Sequence, residues 1–117
     1  YALIAEAARE VLGPEAIGHA GGDETSVILA IRPELVDGSM LGPRTVDPDI
    51  QRVQETLRTA RGSLPVAYRR LTASGATGDS SHASATAGSA IIGQATSRLR
   101  HIAQDIMSLD IASFRAS

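Results

Sequence analysis

The segment LPVAYRRLTA, residues 64–73, limits what this chain can fold into more than any other stretch. It is the best strand candidate, with β-branched and aromatic residues near its middle. Every other regular pattern in the 117 residues reads as helix. One strand cannot satisfy its own backbone donors and acceptors. The segment therefore predicts pairing with strands that this chain does not supply, inside something larger made of one chain or two.

The helical patterns are local and well punctuated. Residues 2–12, ALIAEAAREVL, place Leu3, Ile4, Ala7, Ala8, Val11 and Leu12 on one stripe, and Gly13 with Pro14 ends it. A loop over 15–22 leads to a second helix through Ile31 or Arg32, with Asp23 or Thr25 as cap and Glu24 in its first turn. Pro33 and Gly38 break the chain, and 38–48 reads as loop. Asp47 as N-cap with Pro48 at the first helical position opens a third helix, striped by Ile50, Val53, Leu57 and Ala60 and closed by Gly62. After the strand candidate comes a Gly/Ser loop, SGATGDSSHAS, then the longest helical signal, 83–109. Its stripe is Ile91, Ala95, Leu99 or Arg98, Ile102, Ile106 and Leu109, and Gly88 and Gly93 weaken its first turns.

Composition sets the material. Tyr1, Tyr68 and Phe114 are the only aromatics, so the core must be built from Ala, Val, Leu and Ile with close helix contacts. There is no cysteine, hence no disulfide framework and no thiolate metal site. A net charge of −2 argues against nucleic acid as the main partner, which would call for a clustered basic excess. No apolar run approaches the roughly 20 residues of a membrane span. No signal peptide is visible, so the expected location is the cytoplasm. All 11 basic residues are Arg, which fits a GC-rich bacterial coding bias. The helical pattern starts at once, on Tyr1 rather than Met, which leads one to expect a chain that begins inside a larger design.

The chemistry-bearing stretch is GHAGGDETS, Gly18 to Ser26. His19 beside Glu24 makes an acid/base pair, because a carboxylate fixes the imidazole tautomer and raises its basicity. Ala20, Gly21 and Gly22 lie between them, where backbone can approach a substrate closely. The following helix start offers free N–H groups to developing negative charge. Such a set suits amide hydrolysis. A plainer reading stands beside it: a Gly-rich loop before a helix with acidic residues in its first turn is ordinary capping.

The stretch HAGGDETSVILAIRPELV, His19 to Val36, resembles the motif of the creatininase (creatinine amidohydrolase) family, in which His-Ala-Gly leads into Glu-Thr-Ser and a helix ending near Pro-Glu-Leu-Val. GATGDSSHASATAG, Gly75 to Gly88, resembles that family's late Gly-Asp loop, and EAAREVLG fits the helix before the first motif. The likeness covers nearly the whole chain but only the C-terminal half of a usual member. It implies an α/β fold, the C-terminal part of a three-layer α/β/α sandwich with a mostly parallel sheet, and this part itself mainly helical. It implies a metal-dependent hydrolase of cyclic amides, formamides or related C–N bonds. Zinc, manganese or iron would be held mostly by ligands outside this chain, and a hexamer would be the assembly. His19 is implied as the acid/base that protonates the leaving nitrogen, and Glu24 as the group beside the dinuclear metal centre that steers that histidine or the water, with Ala20, Gly21 and Gly22 lining the substrate.

The departures are specific. The family's Glu-x-His, Asp and His-x-Glu metal-ligand motifs are absent, and neither His82, in the Ser-rich loop, nor His101, beside Arg100, replaces them. Both are expected at the surface. Asp79 is expected to cap the last helix, with holding the late loop as the alternative. PEAIG lacks the aromatic that creatininases carry just before this histidine, which points away from creatinine itself. The expected role is thus part of an amidohydrolase, active with an N-terminal half or partner chain. The alternative is a non-catalytic structural or regulatory subunit that keeps the motif.

Overall fold

A computed structural model describes residues 1–110; Phe114 lies outside them. Among the described residues five α-helices follow one another: α1 Ala2–Leu12, α2 Gly22–Ile31, α3 Pro48–Thr59, the single turn α4 Tyr68–Leu71, and α5 Ala85–Ser108. Short 3₁₀ turns at Pro14–Ala16, Pro33–Leu35 and Gly38–Met40 carry the chain between the first three.

Local signals explain most of these ends. Gly13 stops α1 at φ 90°, and its N–H bonds the Arg9 carbonyl. Asp47 caps α3 through the Asp49 and Ile50 N–H groups, and Pro48 supplies the preset first φ. Ser84 caps α5 through the Ala87 N–H. The start of α2 departs from expectation. Its N-cap is Gly21 with no side-chain cap, because the Asp23 carboxylate is drawn inward to the Tyr1 hydroxyl at 2.8 Å.

The core lies where α5 crosses α1 and α2. Its fully enclosed apolar residues are Ala7, Ala8 and Ile91. Ile4, Val11, Leu12, Ile17 and Val27 pack against them, half-buried. The α1 stripe therefore faces inward as its spacing requires. The α5 stripe does so only at Ile91 and Ala95, while Leu99, Ile102, Ile106 and Leu109 are exposed. Arg98 marks the change, with its guanidinium on Glu6 at 3.0 Å and Glu10 at 2.6 Å. Beyond it every residue of α5 is exposed. The radius of gyration is 18.2 Å, against about 13 Å for a compact domain of this length.

The expected α/β architecture is overturned. Among the described residues there is no sheet, and the one β contact is an isolated antiparallel bridge, Val46 with Thr72. Residues 64–73 do not form a strand. Pro65 has no N–H to give a ladder. Arg70 and Leu71 instead close on the Ala67 carbonyl at 2.7 and 3.3 Å, and Thr72 on Tyr68 at 3.0 Å. With no second strand to pair, the backbone satisfies itself in a helical turn. The chain's bulk is helices on helices rather than helices on a sheet. Among the described residues no helix is long and apolar enough to cross a membrane.

The two glycines of α5 differ in kind. A Cβ on Gly88 would overlap the Ser26 carbonyl oxygen and press on Ala30, whereas one on Gly93 would meet nothing within 4 Å. Gly88 lets α5 touch α2 backbone; Gly93 only loosens the helix. Gly88→Ala should therefore cost more than about 3 kcal/mol or prevent folding, as overpacking against rigid backbone does. Gly93→Ala should stabilise by about 0.5–1 kcal/mol. Urea denaturation of the two variants against the parent chain checks both signs.

Candidate functional site

Two segments far apart in the chain are laced together by their backbones. The Gly22 N–H donates to the Asp79 carbonyl at 2.9 Å, Asp79 N–H to Glu15 at 2.8 Å, and Thr77 N–H to His19 at 2.9 Å. The His19 N–H in turn donates to the Thr77 hydroxyl at 2.9 Å. A Cβ on Gly78 would lie 2.8 Å from both the Ala16 carbonyl oxygen and the Gly21 Cα. The loop after α4 thus lies directly against the loop before α2. His19 is gripped on both of its backbone polar groups.

The His19 ring projects into solvent from this clamp. Its side chain is 64% exposed and that of Glu24 44%. The nearest approach is Nδ1 to Glu24 Oε2, at 4.0 Å, an ion-pair distance and longer than a hydrogen bond. The same Oε2 accepts from the Ala20 N–H at 2.8 Å. Ala20 holds φ 51°, a left-handed conformation that a Cβ disfavours. The first turn of α2 therefore reaches back through Glu24 and pins the strained residue beside His19. Nδ1 faces the carboxylate, which leaves Nε2 as the outward nitrogen.

A second contact was not legible in the sequence. The Tyr68 ring meets the His19 ring edge-on, centroids 5.5 Å apart and planes at 84°. Just before His19 there is no aromatic, yet one arrives from α4, where sequence reading placed a strand. With three aromatics in the chain, only their scarcity could have drawn attention to Tyr68.

Gly21 and Gly22 are buried, and their N–H groups bond the Gly18 and Asp79 carbonyls at 2.9 Å each. They build the loop crossing and have no free donor facing outward. Ala20 and Glu24 line a cavity of about 430 Å³ that extends away from His19 towards the end of α2. Asp79 does not cap α5. Its Oδ1 accepts from the Ser81 N–H at 2.8 Å, and the Ser81 bonds hold its carboxyl below the usual range. His82 and His101 are exposed.

Asp23 lies beneath the site and is wholly buried. Its Oδ2 takes the Tyr1 hydroxyl, and its Oδ1 has no hydrogen-bond partner. The bond to that carboxylate pushes the Tyr1 phenol up to about 12.

Residues 2–103 match the family model named creatininase, described as creatinine amidohydrolase. The chain belongs to the creatininase family. No curated protein and no solved structure matches it. The family is one of hydrolases acting on C–N bonds and is generally metal-dependent. The described residues do not fit such a metal by themselves. No three of their His, Asp and Glu side chains converge on a point, and the nearest pair, His19 and Glu24, has one carboxylate oxygen engaged by backbone. A stable zinc shell takes at least three protein ligands.

Two outcomes follow from this geometry. Ala20→Gly should stabilise the chain by about 1 kcal/mol by relieving the left-handed alanine, read as a raised urea midpoint with unchanged slope. The Tyr1 phenol has a folded pKa above its unfolded value near 10. Its contribution should be complete below pH 10 and vanish as pH rises towards about 12. Tyr1→Phe should abolish that alkaline loss. It should also cost about 1–3 kcal/mol at neutral pH, since a buried carboxylate loses its donor. Denaturation curves between pH 7 and 11.5 on both proteins measure it.

Proposed function

We propose that this chain is the proton-handling part of a metal-dependent amidohydrolase cleaving a C–N bond of a cyclic amide, formamide or related small molecule. The observation that carries this is the placing of His19. It is held by backbone on both sides and faced by Glu24, which in turn lines a cavity. His19 holds a proton at Nε2 and delivers it to the leaving nitrogen as the C–N bond breaks. Glu24 faces Nδ1 and orients the ring. Tyr68 limits the swing of the ring from its open side. Ala20 forms the near wall for the substrate.

The metal belongs elsewhere in the working enzyme. Zinc, manganese or iron would be bound mainly by an N-terminal half or a second subunit, and 1–117 would act as the C-terminal portion of that domain. No catalytic step through the metal is assigned to this chain's side chains. A homo-oligomer, a hexamer by family resemblance, and a bacterial cytoplasmic setting complete the proposal.

A second reading has its own support. The Glu24 carboxylate already serves the Ala20 N–H at 2.8 Å, which is what a plain helix-start contact would look like. On that reading the chain is a structural or regulatory subunit. Glu24→Gln separates the two, because the amide keeps an oxygen for Ala20 and removes only the charge. In the assembled, metal-loaded enzyme, His19→Ala should lower kcat by about 10²–10⁴ with metal content unchanged. Glu24→Gln should lower it too, and the double variant should lose far less than the product of the two. Assays on amides and formamides decide it: wild-type turnover in both single variants leaves only the structural role.

A further inference from the structure

We propose that the cavity beside Glu24 receives the non-reacting part of a small uncharged amide bearing an aliphatic or aromatic group. This rests on the amidohydrolase reading and names the substrate class for it. Ile28, Leu35, Met40, Leu41 and Pro43 come from α2, two 3₁₀ turns and the loop after them, and converge on one concavity. Ile28, Leu35 and Met40 are among the chain's exposed large apolar residues. Gathered around a hollow of about 430 Å³, they differ from apolar residues scattered singly over a surface. The volume falls in the range of small-molecule sites, roughly 300–1,000 Å³.

Charge narrows the ligand further. The charged residues lining the cavity are Glu24 and Asp37, both acidic. Asp37 accepts from the Ser39 N–H at 3.0 Å and hydroxyl at 2.6 Å, which holds its carboxyl low and keeps it ionised. A ligand carrying its own carboxylate or phosphate would meet two like charges and no cation. The cavity floor is already built. Ser80 bonds Gly42 through backbone at 3.0 Å, and its hydroxyl lies 3.1 and 3.2 Å from the Gly42 nitrogen and oxygen. That hydroxyl ties the two loops rather than reaching for a ligand. Glu24 lines the cavity and approaches His19 at 4.0 Å, so an apolar group seated on Ile28 and Met40 carries its amide towards the Glu24 end of the hollow.

Two methionines make the test direct, Met40 in the cavity and Met107 on α5. The full chain, labelled with ¹³C at the methionine methyls, is titrated with hexanamide and, separately, with succinamate, an amide bearing a carboxylate. Hexanamide should shift the Met40 resonance saturably and leave Met107 in place. Succinamate should bind at least tenfold more weakly. Ile28→Glu and Leu35→Glu should each weaken hexanamide tenfold or more, while Leu99→Glu, outside the cavity, should not. The proposal is overturned if both methionines shift together, if succinamate matches hexanamide, or if Met40 responds to protein concentration alone, which would make a second copy the occupant. Binding is read without turnover. A silent Met40 in a chain whose His19→Ala variant loses activity in the assembled enzyme sinks this site and spares the catalytic reading. Hexanamide binding with unaffected turnover does the reverse.

Discussion

The approach of α5 to the backbone of α2 at Gly88 governs the rest of this molecule. At that point a helix runs against the Ser26 carbonyl with no side chain between. The Ser26 hydroxyl accepts the Ser84 N–H at 3.1 Å just before α5 begins. This closeness is what an aromatic-poor chain requires. Among the described residues, five of the six buried apolar residues are alanine, and only Ile91 is large. Alanine faces contribute little area each, so cohesion must come from many short contacts between backbones brought near one another. A core of this type has no bulky residue to shift when the spacing changes.

The same principle builds the site at a smaller scale. Gly21 and Gly78 let two loops touch, and the resulting bonds hold His19 from both its N–H and its carbonyl. The two stretches that resemble the family motifs are therefore one structural unit, although about sixty residues separate them. The glycines between His19 and Glu24 are consumed in this crossing. They keep the loop closed and the histidine fixed, which a catalytic imidazole needs as much as it needs a basic nitrogen.

What was legible in the sequence follows the range of the interactions. The Asp47–Pro48 start of α3, the Gly13 stop of α1 and the α1 stripe depend on neighbours within a turn, and they fold as their spacing dictates. The pairing of His19 with Glu24 is similarly short in range and could be read directly. Residues 64–73 failed because strand formation is decided by a partner, and β-propensity without one is overruled by local hydrogen bonding. The cap of α2 failed for a related reason: Asp23 serves Tyr1, 22 positions away, instead of its own helix. Tyr68 over His19 and Gly88 against Ser26 are both long-range contacts, with no local pattern to announce them. The α5 stripe shows the limit from the other side. Its period continues evenly from Ile91 to Leu109, yet the chain covers it only as far as Ala95.

Glu24 brings the structural and chemical readings onto one atom. Its Oε2 accepts from the Ala20 N–H and is the nearest carboxylate oxygen to His19 Nδ1. These duties reinforce each other. An exposed glutamate with free rotamers would spend little time at any one distance from the imidazole. A glutamate held by a backbone N–H at 2.8 Å, on the first turn of a helix, keeps its charge where the ring can meet it. The left-handed Ala20 is part of the same arrangement: its N–H meets the carboxylate directly after the residue that carries the imidazole, His19. On the proposed catalytic reading, the 4.0 Å separation leaves room for the ring to tighten onto Oε2 when a substrate presents its nitrogen to the opposite face. Fixing the acceptor in advance and leaving only the imidazole to move keeps the reorganisation during proton transfer small.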